Sequence, residues 1–247
     1  MNQVAYISMK NIVKTFGKVV ASNHVNFSVH KGEIHALLGE NGAGKSTLMN
    51  MLSGIYLPDG GSIFIEGKEV HFSAPKDSIA AGIGMVHQHF KLIDVMTAEE
   101  NVILGKKGLF FRKDESRKID ALAKQFELDV DLHKKVSDMS VGEKQNLEIL
   151  KVLYQGARIL ILDEPTVGID PVLRRQIWQA LYDMVAHGTT VIVTTHVMDE
   201  ADRWFQLMMM RDGMVLETGS PETIKKKYGV GTIEEVFVML GEAVQSP

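Results

Sequence analysis

Hydrophobic and polar residues alternate in three stretches near the start of the chain. Ile7 and Met9 lie in the first stretch, residues 25–29 form the second, and residues 62–67 follow a Pro-Asp-Gly-Gly turn. Because successive side chains of a strand point to opposite faces, this period of two predicts half-buried strands. The three stretches predict a small antiparallel sheet, with a turn at Phe16-Gly17 between the first two strands.

Later apolar runs lack this alternation. Residues 33–38, 158–163 and 190–194 are short, largely apolar segments, a pattern that is typical of strands buried on both faces of a parallel sheet. Residues 172–186 have a helical pattern, and residues 97–153 are helical with charged faces and few strand signals. The alternation of strand and helix predicts an α/β fold, a mostly parallel sheet with flanking helices and an inserted helical lobe.

One domain is expected over residues 1–247, because no internal repeat, low-complexity segment or linker divides the chain. Within this domain the pattern places an antiparallel β-lobe at about residues 1–35 and 62–87. The helical lobe is predicted at about residues 89–153, and a C-terminal segment at about residues 213–247.

Composition narrows the class of protein. The chain has 247 residues, of which 45% are hydrophobic and 23% charged, which is ordinary for a globular domain and excludes a disordered chain. The net charge of −4 gives no indication of a nucleic-acid partner. Without cysteine, neither a disulfide framework nor a thiolate metal site is possible. The first residues do not read as a secretory signal, and the apolar runs are too short to span a bilayer.

Residues 39–47 read G-E-N-G-A-G-K-S-T and match the phosphate-binding loop G-x-x-x-x-G-K-[ST]. Glycines allow backbone N–H groups to point inward at a phosphate. Lys45 supplies positive charge for the β- and γ-phosphates, and the Ser46 hydroxyl is a ligand for Mg²⁺. The loop lies between a predicted strand and a predicted helix at residues 46–52, which puts the phosphates at a helix N-terminus. The sequence therefore predicts a nucleoside triphosphate site in a P-loop NTPase core.

Polar residues at the ends of two later strands add to this site. Asp163 ends an apolar strand and is suited to hold the Mg²⁺ that Ser46 contacts. Glu164 follows at once and is expected to orient or deprotonate a water molecule for attack on the γ-phosphate. His196 lies just beyond the strand at residues 190–194, where ligands of parallel sheets gather, and is predicted to reach the γ-phosphate.

These elements, in this order, resemble the nucleotide-binding domain of an ABC transporter over nearly the whole chain. Further matches are Gln88, the signature region Met-Ser-Val-Gly-Glu at residues 139–143, Asp170 in the position of the D-loop aspartate, and Phe16 where the family places an aromatic ring against adenine. The residues expected to bind nucleotide are Phe16, Gly39, Asn41, Gly42, Ala43, Gly44, Lys45, Ser46, Thr47, Ser140, Gly142 and Asp170. Ser46, Gln88 and Asp163 are expected to bind Mg²⁺, and Lys45, Gln88, Glu164 and His196 to act in hydrolysis.

The resemblance implies a site that two chains complete. In the family, two such domains close head to tail, and the signature segment of one covers the γ-phosphate bound by the other. Ser140 and the N–H groups of Val141 and Gly142 would lie at a helix start, where partial positive charge meets an anion. The expected cofactors are ATP and Mg²⁺, and the expected partners are a second nucleotide-binding domain and transmembrane permease subunits. The expected location is cytoplasmic, peripheral to the membrane, with no direct contact to nucleic acid.

The signature departs from the family's commonest pattern. Where most members have Leu-Ser-Gly-Gly-Gln, this chain has Met-Ser-Val-Gly-Glu, and Asn146 replaces a usual arginine. Glu143 places a negative charge near a polyphosphate, which weakens binding. A reduced turnover rate is therefore predicted, which the double replacement of Glu143 by Gln and Asn146 by Arg would test.

Several alternatives stay open. Residues 85–90 and the signature resemble simple-sugar and nucleoside importers, whereas residues 164–171 and 231–237 resemble single-domain ATPases of exporters. A recombined or spliced chain would explain this crossover, so the direction of transport is undecided. A soluble ABC-type ATPase and a nucleotide-binding module with impaired hydrolysis are the other hypotheses. Stacking on Phe16 favours ATP without excluding GTP.

Overall fold

The computed structural model describes residues 5–105 and 113–245. The ends of the predicted domain, residues 1–4 and 246–247, and residues 106–112 of the predicted helical lobe lie outside the described residues. The strands are β1 (Ile7–Phe16), β2 (Val19–Val29), β3 (Ile34–Leu38), β4 (Gly60–Ile65), β5 (Lys68–Val70), β6 (Ile83–Val86), β7 (Ile159–Asp163), β8 (Thr190–Thr195), β9 (Gln206–Arg211) and β10 (Met214–Gly219). The α-helices are α1 (Lys45–Leu52), α2 (Pro75–Ala80), α3 (Ala98–Ile103), α4 (Lys113–Gln125), α5 (Val141–Tyr154), α6 (Pro171–Ala186), α7 (Pro221–Tyr228) and α8 (Ile233–Gln245).

The first sheet is antiparallel, in the order β2-β1-β4-β5. Phe16 pairs with Val19 across a tight turn in which Gly17 has a φ of 60°, a left-handed conformation that glycine adopts without steric cost. Apolar positions such as Ile7 and Phe27 face the core, whereas Phe16, Val19 and Val20 beside the turn are exposed. The antiparallel N-terminal sheet and its turn are as the alternating pattern predicts.

The second sheet has the order β10-β9-β3-β8-β7-β6. Its strands run parallel from β9 to β6, and β10 is antiparallel to β9. Successive side chains of β7 enter two different apolar clusters: Leu160 and Leu162 pack with the helices, while Ile159 and Ile161 pack towards α1 and the antiparallel sheet. Because both faces are covered, the strand is apolar from Ile159 to Leu162 and turns polar only at its last residue, Asp163, which explains the continuous run in the sequence.

Strand β6 differs from its sequence-based placement. The predicted antiparallel lobe extends to residue 87, but β6 lies in the parallel sheet, where Ile83 pairs with Ile159. A strand of only four residues that includes a glycine carries too little alternation to show its sheet. Its position is decided by pairing with β7, a contact between segments more than seventy residues apart in sequence.

The helical lobe contains α3, α4 and α5, which contact one another. Helix α5 begins with a capping box, in which the Ser140 hydroxyl accepts from the Glu143 N–H and the Glu143 carboxylate accepts from the Ser140 N–H. These reciprocal hydrogen bonds give two backbone N–H groups at the helix start an acceptor, and they are typical of the first turn of a helix. The predicted C-terminal segment contains β10, α7 and α8. None of the helices in the described part of the chain has the length and apolar character that crossing a membrane requires.

Candidate functional site

Four loops at the carboxyl edge of the parallel sheet carry the residues predicted to act in hydrolysis and in metal binding. The glycine-rich loop follows β3, Gln88 follows β6, the acidic pair ends β7, and His196 follows β8. Because β3, β8, β7 and β6 are consecutive neighbours in the sheet, their ends meet at one edge. Ligands of open α/β sheets bind outside the carboxyl ends of the strands.

The glycine-rich loop is held tightly against neighbouring backbone. A Cβ at Gly44 would lie 2.2 Å from the carbonyl oxygen of Ala21, and the φ of Gly44 is 100°. Only glycine meets both conditions. A Cβ at Gly39 would lie 2.3 Å from the carbonyl oxygen of Met210, and Ala43 is buried, with its carbonyl accepting from the Gly213 N–H at 3.1 Å.

The other predicted loop residues are less enclosed. Asn41 and Gly42 are exposed, and Thr47 is half-buried in the first turn of α1. The loop therefore has a fixed base and an open rim, which is the arrangement that a ligand entering from solvent requires.

Lys45 lies inside this loop, with 4% of its surface exposed. Its ammonium donates to the carbonyl oxygens of Gly39 at 2.8 Å and Glu40 at 3.1 Å. Glu164 Oε1 is 3.7 Å from the same nitrogen. Burial lowers the pKa of Lys45, and the negative charges of Glu164 and Asp163 oppose that shift. The positive charge is thus held in the position that a phosphate would approach.

Asp163 and Ser46, two of the residues that the sequence suggests for a metal site, contact each other directly. The Ser46 hydroxyl donates to Asp163 Oδ1 at 2.9 Å. Thr194, which the sequence analysis did not single out, donates from its hydroxyl to the same oxygen and accepts from the Glu164 N–H at 3.1 Å. The parallel register pairs Asp163 with Thr194. A hydroxyl near the carboxyl end of a buried strand, directly after the apolar run at residues 191–193, is the signal that would have identified Thr194.

Glu164 points away from Asp163, because its backbone is in the left-handed region with a φ of 53°. For a residue other than glycine this conformation costs about 1 kcal/mol or more, and such strain concentrates at functional sites. His196 Nδ1 is 3.2 Å from Glu164 Oε1, and Gln88 Nε2 donates to Glu164 Oε2 at 3.3 Å. The structure thus brings Lys45, His196 and Gln88 together around the carboxylate of Glu164.

The oxygen atoms at this edge fit a hard divalent cation. Ser46 and Asp163 provide a hydroxyl and a carboxylate, and Mg²⁺ is commonly bound by one or two such groups together with substrate phosphates. Within the described part of the chain, no group of three or more His, Asp or Glu side chains is arranged to bind a metal ion. Gln88 contacts Glu164, and none of its described hydrogen bonds reaches Ser46 or Asp163.

The signature residues and Asp170 form a second group. A Cβ at Gly142 would lie 2.6 Å from Leu173 Cδ1, so the start of α5 packs against the first turn of α6. Asp170 caps α6 by accepting from the N–H groups of Val172 and Leu173 at 2.9 and 3.0 Å. In the described ranges, no hydrogen bond or ion pair joins this group to Lys45 or Glu164.

Phe16 lies at the tip of the β1–β2 hairpin, 44% exposed. Tyr56 meets it edge to face, with ring centroids 5.3 Å apart. Asp59 fastens the end of β1 beside it, because its carboxylate accepts from Lys14 Nζ at 2.8 Å and from the Thr15 N–H at 2.7 Å. The ring is thus presented to solvent from a backbone held in place, as a base-stacking surface requires.

The hydrogen bonds of Asp59 with Lys14 and Thr15 make the stability of the fold depend on pH. Hydrogen bonds from Lys14 and Thr15 lower the pKa of Asp59 from 3.8 to about 2. A carboxyl whose native pKa is lowered stabilises the fold above its unfolded pKa and loses that contribution as pH falls through the native value. The gap in thermal unfolding midpoint between the parent and Asp59→Asn should therefore be largest above about pH 4 and shrink towards pH 2.

Asp212→Asn is the matched control for this measurement, because Asp212 is largely exposed and 3.9 Å from its nearest cation, Arg211 Nε. Its gap from the parent is the baseline against which the pH trend of Asp59→Asn is compared. If the difference in unfolding midpoint from the parent follows pH equally in both variants, the stabilising role of the Asp59 hydrogen bonds is contradicted.

Comparison with known proteins agrees with this geometry. A family model described as ABC transporter matches residues 22–167. The nucleoside import ATP-binding protein NupA of Lactococcus lactis subsp. cremoris is 44% identical over 220 residues, which cover 86% of this chain and 43% of that protein. The guanosine import ATP-binding protein NupO of Bacillus subtilis is 46% identical over 190 residues, which cover 75% of this chain and 37% of that protein. The chain spans less than half the length of these two relatives.

Solved structures show the same fold. An ATP-binding cassette of an ABC transporter in its ADP conformation has a TM-score of 0.83 and 25% identity, over 95% of this chain and 99% of that one. A dimeric ATP-binding cassette in a post-hydrolysis state, bound to ADP and phosphate, has a TM-score of 0.74 and 26% identity, over 87% and 98%. The predicted fold class is confirmed, and the chain belongs to the ABC transporter family, with the fold of its ATP-binding cassettes.

Proposed function

We propose that this chain binds ATP with Mg²⁺ and hydrolyses it to drive transport through transmembrane partner subunits. The observation that carries the proposal is the convergence of a buried lysine, a serine–aspartate pair and a second carboxylate at one sheet edge. A structural role alone would not require Lys45 to be buried beside two carboxylates, because burying charge is costly unless it is paired or used.

Each residue has a role that follows from its contacts. Lys45 exchanges the carbonyl oxygens of Gly39 and Glu40 for phosphate oxygens, which are stronger acceptors because they are charged. Glu164 accepts a proton from the water that attacks the γ-phosphate. Thr194 and the strained backbone hold Glu164 in place, and His196 and Gln88 orient its carboxylate. Ser46 and Asp163 would hold Mg²⁺, which neutralises charge on the β- and γ-phosphates when bound.

The second group of residues is proposed to act on the nucleotide of another chain. Ser140 and Val141 are exposed at the start of α5, where the first N–H groups of a helix have no partner within it. A helix start of this kind favours anions. The dimeric cassette bound to ADP and phosphate supports a two-chain arrangement for this family. Gly142 and Asp170 shape this surface, and Phe16 would stack on the adenine ring.

The helical lobe offers a surface for a membrane partner. An open groove of about 290 Å³ lies next to the contacts of Glu164, because Gln88 lines it. It is lined by Gln88, His89, Phe90, Leu92, Asp94 and Lys144. The apolar side chains of Ile93 and Val95 beside it are 37% and 80% exposed. Because Gln88 belongs both to the groove and to the contacts of Glu164, a partner bound there would be coupled to hydrolysis. The chain would then lie on the cytoplasmic side of the membrane, peripheral to it.

Import is the favoured direction of transport. The match to NupA covers 86% of the chain, so it extends across β7, where the exporter-like segments begin. The likeness to nucleoside importers is thus not confined to the N-terminal half. A sugar or nucleoside is the class of cargo that the relatives' names suggest.

The rate of ATP hydrolysis as a function of protein concentration tests this proposal. If two chains complete the site, the rate per chain should rise about in proportion to concentration while most chains are monomers. A rate per chain that stays constant down to nanomolar protein would contradict a two-chain site and favour a self-contained soluble ATPase. Tight ATP binding without hydrolysis at any concentration would instead favour a nucleotide-binding module.

A further inference from the structure

We propose that Lys134 is a positioning residue for the nucleotide site formed between two chains. It fixes and neutralises the carboxylate of Glu143 beside the helix start, so that the start of α5 can accept a phosphate of the partner's ATP despite the acidic signature. This inference rests on the proposed function and concerns one side chain that no motif assigns.

Both oxygens of Glu143 are occupied in the structure. Lys134 Nζ donates to Oε1 at 2.8 Å and to Oε2 at 2.9 Å. The Ser140 N–H donates to Oε2 at 2.7 Å. The side chain is therefore bent back to its own helix start, where it is held between Lys134 and the Ser140 N–H beside Val141, which is 54% exposed. From the sequence alone Glu143 is an unpaired charge; in the fold it belongs to an ion pair.

Lys134 reaches Glu143 from outside α5. Its backbone is fixed by two hydrogen bonds, since its carbonyl accepts from the Ala98 N–H at 3.0 Å and its N–H donates to the Asp131 carbonyl at 3.2 Å. The two side chains are 33% and 25% exposed. A partly buried pair with a fixed backbone is less screened by water and salt than a fully exposed pair.

The ion pair changes the charge that an approaching phosphate would meet. With Lys134 present, the carboxylate of Glu143 is neutralised, and the helix start keeps its partial positive charge. The lysine and the Ser140 N–H lower the pKa of Glu143, so the carboxylate stays ionised and paired near neutral pH. Without Lys134, an uncompensated negative charge would face a polyphosphate at the same place.

The test measures ATP-dependent dimer formation in a Glu164→Gln background, where blocked hydrolysis preserves the closed pair. Four changes are compared there: Lys134→Met, Lys135→Met, Glu143→Gln, and Lys134→Met combined with Glu143→Gln. Lys135 is the matched control, because it is the exposed neighbouring lysine with no ion pair among the described contacts. Dimer dissociation constants with Mg-ATP come from analytical ultracentrifugation, and ATP affinity of the monomer from a fluorescent nucleotide.

Lys134→Met should raise the dimer dissociation constant by about five- to tenfold at low salt, the size expected for one uncompensated surface charge. The effect should diminish at about 0.5 M salt, because screening shortens the range of the repulsion. The combined variant should return to within about threefold of the background, since it no longer carries the charge. Lys135→Met should match the background, and ATP affinity of the monomer should stay unchanged in every variant.

The proposal is overturned if Lys134→Met dimerises as the background does, or if removing Glu143's charge fails to rescue it. The second result would mean that Lys134 supports only the local fold. If the Glu164→Gln background itself stays monomeric with bound ATP, the two-chain site of the proposed function fails and the role of Lys134 fails with it.

Discussion

Glu164→Gln should lower the kcat of ATP hydrolysis by about 10²- to 10³-fold, the usual contribution of a general base. Glutamine keeps the size of the side chain and its contact with Gln88, but it cannot accept a proton from water. ATP binding should persist, because Lys45, Ser46 and Asp163 are unchanged. The variant should therefore accumulate as an ATP-bound dimer, which size-exclusion chromatography with light scattering would detect beside a steady-state assay of phosphate release.

Glu222→Gln is the matched control for this result, because Glu222 is an exposed carboxylate in the first turn of α7. It should hydrolyse ATP at the parent rate. If Glu164→Gln keeps more than about a third of the parent kcat, another group activates the water and the assignment of Glu164 as general base is wrong.

Lys45→Met should weaken ATP binding by about ten- to a hundredfold. The buried ammonium is the one lysine of the glycine-rich loop, and a hydrogen bond between charged groups is worth about 1.5–3 kcal/mol. The thermal unfolding midpoint without nucleotide should change little. Methionine leaves the carbonyl oxygens of Gly39 and Glu40 without their donor but removes a buried charge, and these two effects oppose each other.

Titration calorimetry with ATP and a thermal scan without it separate these two effects. Lys68→Met, at an exposed position of β5, is the control and should bind ATP as the parent does. A Lys45→Met variant that binds ATP within about threefold of the parent would show that the loop backbone, rather than this charge, carries affinity.

The contacts of Lys45 and Glu164 also predict how these two changes interact. Glu164 is 3.7 Å from the ammonium and opposes the lowering of the pKa of Lys45 by burial. Removing the negative charge in Glu164→Gln should lower the pKa of Lys45 further. The two replacements should therefore not be additive in the stability of the nucleotide-free protein, which a double-mutant cycle would show.

Local patterns in the sequence predict several elements of the proposed site. The nine residues of the glycine-rich loop are contiguous, so their spacing alone determines which backbone N–H groups and which lysine face a phosphate. The carboxylate of Asp163 at the end of an apolar strand is likewise a local signal, because a strand buried on both faces shows no polar residue until it emerges. The α/β fold follows from the same periodicities.

Other features depend on which segments become neighbours. Thr194 joins Asp163 only because β7 and β8 pair in parallel register, and β6 enters the parallel sheet only through β7. Register and strand order arise from packing over the whole chain, so neither can be read from a window of ten residues.

The signature shows the division most clearly. From the sequence, Glu143 is an acidic residue where the family has an amide, and a loss of affinity for a polyphosphate is the natural prediction. In the structure Lys134, nine residues earlier in the chain, forms an ion pair with Glu143. The loop that carries Lys134 is held by a backbone hydrogen bond to the first residue of α3. The phosphate loop and the acidic strand end can be recognised in the sequence because each is a run of adjacent residues, and the order of such motifs indicates the family. The neutralisation of Glu143 becomes visible in the folded chain, because the energy of a charge depends on its neighbours in space.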